Sequence, residues 1–315
     1  MKVLVTGGCG YKGHVLVPKL VSKGYDVTVL DIMWFGNKLK AAPNLKTIKA
    51  DLRDKDSYTV EGFDAVIHLA SVANDPCADL DPVLTWEVST LATLELLLKC
   101  KKGKVKHFIY ASSGSVYGVK EEPNVTEDLD LVPISAYNKT KMVAERLVLS
   151  YSGSFVTQII RPATVCGLSP RMRLDVAVNL LTAQAIKNGV MTVLGGDQVR
   201  PNIHIEDITD LYLFLLDRPE INGVYNAGFE NISILNIAEQ ISKTTGAKIE
   251  IKESNDPRSY RLDSSKLMKT GFKPKYKVID AINQITSALN GKTLIDEDIC
   301  YNLKWMNNLY GKTNI

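Results

Sequence analysis

The stretch KVLVTGGCGYKG, residues 2–13, decides how this chain is read. Lys2–Thr6 is a short β-branched run of the kind that forms a buried strand. Glycines follow at 7, 8, 10 and 13, and Val15–Lys23 then keeps helical spacing until Gly24, a helix C-cap. Pro18 removes one backbone donor from that helix without cancelling the pattern. A strand, a glycine turn and a helix in this order make a phosphate site. The helix start offers unpaired N–H groups and the positive end of its dipole, and an anion reaches them only where no side chain intervenes. Gly7, Gly10 and Gly13 are expected to supply the tight turn, the close backbone approach and the helix–strand packing of a dinucleotide loop. Tyr11 and Lys12 lie inside the loop and count among its cofactor-binding residues. Lys12 either touches a phosphate or points to solvent. Cys9 reads as a small filler residue.

Outward from this loop the first half of the chain alternates. Asp26–Asp31, Leu45–Ala50, Asp64–Ala70, His107–Ala111 and Phe155–Arg161 read as strands, and Glu87–Lys101 and Tyr137–Ser150 as helices. That rhythm predicts an α/β fold with a doubly wound parallel sheet. After Gly167 the rhythm changes. Helices at Leu174–Asn188, Ile208–Leu216, Ile234–Thr244 and Val278–Leu289 mix with short strands, which reads as a second, smaller α/β lobe. The expected division is 1–167 for the dinucleotide and 168–315 mainly for the second lobe, with one return crossing allowed. Asp31 ends the second strand, where a carboxylate can bind the adenosine ribose hydroxyls and repel a 2′-phosphate. This favours NAD over NADP.

Composition narrows the classes further. The chain has 315 residues, 38 basic and 35 acidic side chains and a formal net charge of +3. At 45% hydrophobic and 23% charged it is globular in composition. It has no run near the ~20 apolar residues that span a bilayer. The basic cluster at Lys99–Lys106 reads as a solvated helix end, so neither a nucleic-acid nor a membrane partner is expected. Five widely spaced cysteines form no Cys-x-x-Cys pair, and the glycines at 7 and 8 cut short any secretory h-region. A reduced, cytoplasmic protein is expected. The four histidines, His14, His68, His107 and His204, are not spaced as metal ligands, and no metal is assigned.

Tyr137 and Lys141 stand four apart on a helix and share a face. A free tyrosine titrates near 10, and a neighbouring ammonium favours its phenolate. Such a tyrosine can act as a general base for a sugar hydroxyl, with a serine from the segment Ala111–Gly118 alongside.

These features carry a resemblance. TGGCGYKG (6–13), DLRD (51–54), HLA (68–70), ASSGSVYG (111–118), YNKTK (137–141), RPATVCG (161–167) and RPNIHIEDI (200–208) resemble the extended short-chain dehydrogenase/reductases of the nucleotide-sugar epimerase/dehydratase family, UDP-glucose 4-epimerase-like members included. The resemblance implies a Rossmann domain binding NAD, and it makes 168–315 mainly the nucleotide-sugar-binding lobe. Asp51 and Leu52 would flank the adenine; Leu69, Ala70 and Ser71 would line the cofactor, with Pro162 and Val165 near the nicotinamide. Ser113 would be the catalytic hydroxyl and Tyr137 the base. Lys141 would hold the nicotinamide ribose. Ser113, Ser115, Tyr137, Thr164 and Asn179 would meet the substrate. Arg200 and Arg258 would bind its diphosphate, because a guanidinium fork suits phosphate. A homodimer through the helices at 87–101 and 137–150 is also implied.

Departures from the family pattern sharpen the reading. The 4,6-dehydratases place Asp-Glu after the catalytic hydroxyl, and this chain has Gly114 and Ser115. Neither carries a carboxyl, so dehydration is disfavoured. NAD-dependent C4 oxidation with epimerisation is the expected activity; the alternatives are a 4-dehydrogenase, a 4-ketoreductase and, least favoured, a non-catalytic NAD sensor. Ser89 replaces the usual Asn of the helix after the fourth strand. The segment Ser169–Asp175 resembles a subgroup that includes GDP-heptose 4-dehydrogenases; alternatively, Arg171 and Arg173 cap and solubilise the start of the Leu174 helix. Glu297–Tyr310 is amphipathic and reads as a lid or a dimer helix.

Overall fold

A computed structural model describes residues 1–253 and 259–310. Its strands are β1 (Lys2–Thr6), β2 (Asp26–Asp31), β3 (Leu45–Lys49), β4 (Ala65–His68), β5 (His107–Ala111), β6 (Val156–Pro162), β7 (Thr164–Cys166), β8 (Val190–Leu194), β9 (Val199–His204), β10 (Gly223–Ala227), β11 (Glu230–Ser233) and β12 (Lys248–Lys252). Seven of them form one sheet in the order β10-β6-β5-β4-β1-β2-β3. Every pairing from β3 through β6 is parallel. The direction of winding reverses between β1 and β4, and in doubly wound sheets that reversal opens a crevice at the strands' carboxyl ends. Here those ends are Thr6 and His68.

The sheet is buried on both faces. Leu4, Val66, Phe108, Tyr110 and Ile159 face a core shared with Leu96, Leu97, Ala144 and Val148. Their neighbours Val3, Val5, Ile67, Ile109 and Ile160 are just as buried and, by the two-residue period of a strand, face the other side. Each fully buried side chain of this size contributes roughly 1.5–3 kcal/mol.

The helices are α1 (Gly13–Ser22), α2 (Asp75–Leu80), α3 (Pro82–Trp86), α4 (Ala92–Lys102), α5 (Ala136–Ser150), α6 (Ala177–Asn188), α7 (Ile205–Leu216), α8 (Ile234–Thr245), α9 (Ser265–Met268), α10 (Val278–Asn290) and α11 (Asn302–Tyr310). The single helix expected over Glu87–Lys101 is a composite. It starts at Pro82, capped by Asp81, whose Oδ1 accepts from the Leu84 N–H at 2.9 Å. A wide π-type turn over Glu87–Leu91 then joins α3 to α4. Ion pairs Lys19–Asp210 and Lys23–Asp217, both 2.6 Å, tie α1 to α7 and the residue that follows it.

The chain forms two compact units. The first comprises Met1–Val116, Pro133–Arg161 and Thr209–Tyr225; the second comprises Tyr117–Val132, Pro162–Ile208 and Asn226–Ile315. The boundaries therefore do not follow a division at 167. Most of α7 belongs to the first unit, where Lys19–Asp210 ties it to α1, which is remote in sequence. Within the second unit, β11-β9-β7 and the pair β12-β8 form two small sheets. Its core gathers Val178, Leu181, Met191, Val193, Ile237, Ile241, Val278 and Ile282.

The Ser169–Asp175 segment does not cap a helix, because α6 begins only at Ala177. Arg171 is 4% exposed and donates through Nη2 to Asn302 Oδ1 at the start of α11. The Leu174 N–H donates to the Cys300 carbonyl at 2.8 Å, and Arg173 pairs with Asp175 at 2.9 Å. In this chain the C-terminal helix is docked onto that segment. No helix among the described residues is long and apolar enough to cross a membrane. All five cysteines are buried free thiols.

Candidate active site

The glycine loop leaves β1 at the winding reversal. Gly7 has φ +71°, and a Cβ there would lie 2.5 Å from the Ala70 nitrogen, so β1 and β4 approach backbone to backbone. A Cβ on Gly13 would fall 2.3 Å from the Gly8 carbonyl oxygen, which presses α1 directly onto the loop. Gly10 is less confined: its nearest obstacle is the Gly7 carbonyl oxygen at 3.2 Å. Lys12 is the N-cap of α1 and makes no side-chain capping bond, and the first turn holds no acidic residue. Loop and helix start thus keep the small, electropositive surface that an anion needs. This is a cradle that side chains would fill, and it fits a dinucleotide diphosphate.

Neighbouring residues stiffen the loop. Asp31 accepts from the Cys9 N–H at 2.9 Å and from the Met33 N–H at 2.7 Å. His14 Nε2 accepts from the Lys38 N–H at 2.9 Å, so its Nδ1–H faces the Gly10 carbonyl at 3.1 Å. Burial, then the Asp31 charge, pushes the Cys9 thiol up to about 12, which suits a filler and not a nucleophile. Tyr11 is buried, and Lys12 is half-buried with its ammonium 3.4 Å from the Tyr212 hydroxyl.

Beyond β3, Asp51 is gripped by Arg53 at 2.7 Å, and Arg53 also reaches Glu87 at 2.8 Å. Burial pushes the Asp51 carboxyl up, but the Arg53 bonds and charge outweigh it and hold it below the usual range. Leu52 is buried; Leu69, Ala70 and Ser71 follow β4 half-buried. Ser71 Oγ lies 3.1 Å from Ser89 Oγ, so Ser89 still reaches the strand end from its helix.

The Ser-Tyr-Lys residues sit at the carboxyl end of β5 and on α5. Ser113 and Ser115 are half-buried, with their hydroxyl oxygens 2.7 Å apart. Tyr137 is half-buried in the first turn of α5, which Ser135 caps. Lys141 is 3% exposed; its ammonium donates to the Ala111 carbonyl at 2.8 Å and lies 5.9 Å from the centre of the Tyr137 ring. Burial, then the Lys12 charge, brings Lys141 down to about 7. Beneath it Arg161 pairs with Glu145 at 2.7 Å, both buried, and Ser112 donates to Glu145. This fastens α5 to β5 and β6.

Pro162, Thr164, Val165, Asn179 and Arg200 belong to the second unit. Pro162 is buried at the end of β6, and Thr164, Val165 and Arg200 are half-buried. Asn179 is 0% exposed; it accepts from the Gly167 N–H at 3.0 Å and donates to the Arg173 carbonyl at 2.8 Å. Its amide holds the 167–173 loop from within. Arg258 lies outside the described residues. One residue passed over in the sequence is Asn138. It is 1% exposed and accepts from Ser115 Oγ. Its only sequence signal is a polar side chain beside Tyr137 on a helix whose buried face includes it.

Residues 3–228 match the NAD dependent epimerase/dehydratase family. The chain belongs to that family. It is 29% identical over 316 residues to a UDP-glucose 4-epimerase of Lactobacillus helveticus, covering 90% of this chain and 94% of that one. It is 30% identical over 308 residues to UDP-arabinose 4-epimerase 1 of Arabidopsis thaliana, covering 85% and 74%. The crystal structure of the Thermus thermophilus UDP-glucose 4-epimerase in complex with NAD superposes with a TM-score of 0.81 at 26% identity, over 92% of this chain and 99% of that one. Its seven-stranded Rossmann-like sheet accords with that superposition and with membership of the epimerase/dehydratase family.

Proposed function

We propose that this family member is an NAD-dependent 4-epimerase of a nucleotide-activated sugar. The observation that carries the reading is Lys141: a lysine 3% exposed, anchored on one carbonyl and set beside Tyr137 on α5. A buried ammonium is costly unless an anion offsets it. A Tyr137 phenolate is such an anion, and each charge stabilises the other.

NAD, when bound, supplies a hydride acceptor at C4 and a donor for the return step. The glycine loop would hold its diphosphate, Asp31 its ribose hydroxyls, and Asp51 with Leu52 the adenine. Tyr137 takes the 4-hydroxyl proton as C4 loses hydride, leaving a 4-keto sugar. It gives the proton back when hydride returns to the opposite face of the sugar. Ser113 bonds the same oxygen, and Lys141 keeps Tyr137 acidic. Gly114 and Ser115 provide no carboxyl for loss of water, which favours epimerisation over dehydration within this family. Thr164, Arg200 and Arg258 are assigned to the nucleotide sugar, and Asn179 acts through the loop it holds.

The test is a panel of UDP-, GDP- and dTDP-sugars with stoichiometric NAD, followed at 340 nm and by NMR of the products. A flat trace with a new C4 isomer is expected. A lasting rise at 340 nm with a 4-keto product would make the chain a 4-dehydrogenase instead. No new sugar from any donor would sink the enzymatic reading.

A further inference from the structure

We propose that Asn138 is a positioning residue that fixes the direction of the Ser113 hydroxyl through Ser115. Three bonds carry the argument. Ser113 Oγ and Ser115 Oγ are 2.7 Å apart, the Ser115 N–H donates to Ser113 Oγ at 3.2 Å, and the Ser115 hydroxyl donates to Asn138 Oδ1. Asn138 is itself held in place. It is 1% exposed, and its own N–H donates to Ser135 Oγ at 3.1 Å, while the Ser135 hydroxyl donates to Asp75.

A serine hydroxyl has one proton and two lone pairs. Ser115 commits its proton to Asn138, so the proton between the two serines is Ser113's. One Ser113 lone pair takes the Ser115 N–H. The remaining lone pair is what Ser113 can offer a ligand, and it is an acceptor. Ser113 can turn its own proton from Ser115 to the 4-oxygen while Tyr137 takes the 4-hydroxyl proton, so the single sugar proton is not claimed twice. The wiring therefore fixes the Ser113 oxygen, and the direction from which its proton starts, before the sugar binds. Asn138 also links the turn after β5 to the helix that carries Tyr137, so Ser113 and the base share one frame. The wiring rests on geometry alone; its catalytic meaning rests on the function proposed above.

The test is a double-mutant cycle with UDP-glucose and NAD as the probe. Asn138→Ala and Ser115→Ala should each lower kcat about five- to tenfold, the worth of one neutral hydrogen bond, with KM within about twofold. The double variant should be no slower than Ser115→Ala, because both act on one path. Ser115→Thr keeps the hydroxyl and should restore kcat. Additive losses, or a change in KM alone, would overturn the proposal. Crystal structures of wild type and Asn138→Ala give a readout that needs no turnover. Ser113 should hold one rotamer against Ser115 in the first and lose it in the second. An unchanged rotamer in Asn138→Ala defeats the proposal whatever the activity. Intact wiring in a wild type that turns over no nucleotide sugar counts against the proposed reaction alone.

Discussion

At the scale of single residues, Tyr137 and Lys141 illustrate how burial turns an ordinary pair into a chemical one. On an exposed helix, tyrosine and lysine four apart are merely neighbours. Here Lys141 is shut inside the first unit, held by Ala111, and faces a second cation at Lys12. The Glu145 carboxylate offsets part of the cost of that buried charge, and a Tyr137 phenolate would offset more. Tyr137→Phe should therefore lower kcat by about 10²–10⁴-fold, the usual contribution of a general base. Its urea midpoint should stay close to wild type, because a half-buried ring keeps its packing. Retained turnover would remove Tyr137 from the mechanism. The Lys12 ammonium lies 3.4 Å from the Tyr212 hydroxyl, at the start of the helix that follows the glycine loop.

At the scale of elements, β4 is braced by His68. Its Nδ1 lies 2.6 Å from Thr6 Oγ1 at the end of β1, and its Nε2 lies 2.8 Å from Thr93 Oγ1 on α4. The imidazole thus joins both sides of the winding reversal to a helix. Burial, then the Lys141 charge, lowers its pKa from 6.5 to about 3. Between those values the unfolded chain binds a proton that the folded chain excludes. Stability from His68 is therefore full above about pH 6.5 and is lost as pH falls toward 3. At pH 5 the loss from this group is about 2 kcal/mol. Urea unfolding of His68→Gln should show a correspondingly smaller difference between pH 7 and pH 5 than wild type. An equal difference in both proteins would assign the acid sensitivity to other groups.

At the scale of the whole molecule, the run from α3 into α4 leaves large apolar side chains uncovered. Val83 is 68% exposed, Leu91 60% and Leu98 48%. Single exposed apolar residues are ordinary, but three recurring about every two turns along one helical run form a strip suited to a partner surface. The homodimer contact that the family resemblance implies over 87–101 and 137–150 would cover Leu91 and Leu98 of this strip. Leu91→Asp should shift the protein from dimer to monomer in sedimentation velocity at micromolar concentration, while leaving the far-UV spectrum unchanged. A wild-type monomer would refute this assignment.

Much of this is legible in local patterns. The strand–glycine–helix start, the alternation through Arg161, the four-residue spacing of Tyr137 and Lys141, and the missing carboxyls at Gly114 and Ser115 are properties of short segments, where propensity and periodicity act directly. What depends on contacts remote in sequence is not legible in this way. Pro82–Trp86 joins its helix because Asp81 caps it and a wide turn carries the axis onward, and ion pairs across 191 and 194 residues tie α7 and the residue after it to the α1 region. Arg171 reads as a solvated cap, yet it is buried against Asn302, 131 residues away. Asn138 carries no signal within the Tyr-x-x-x-Lys spacing until the fold sets Ser115 against it. Which chemical groups exist, and which strands and helices carry them, follows from neighbouring residues and so can be read from the chain alone. Which of those groups lose water, and which partner each hydroxyl and cation meets, is set by the folded molecule, because burial and hydrogen-bond direction arise from packing between distant segments.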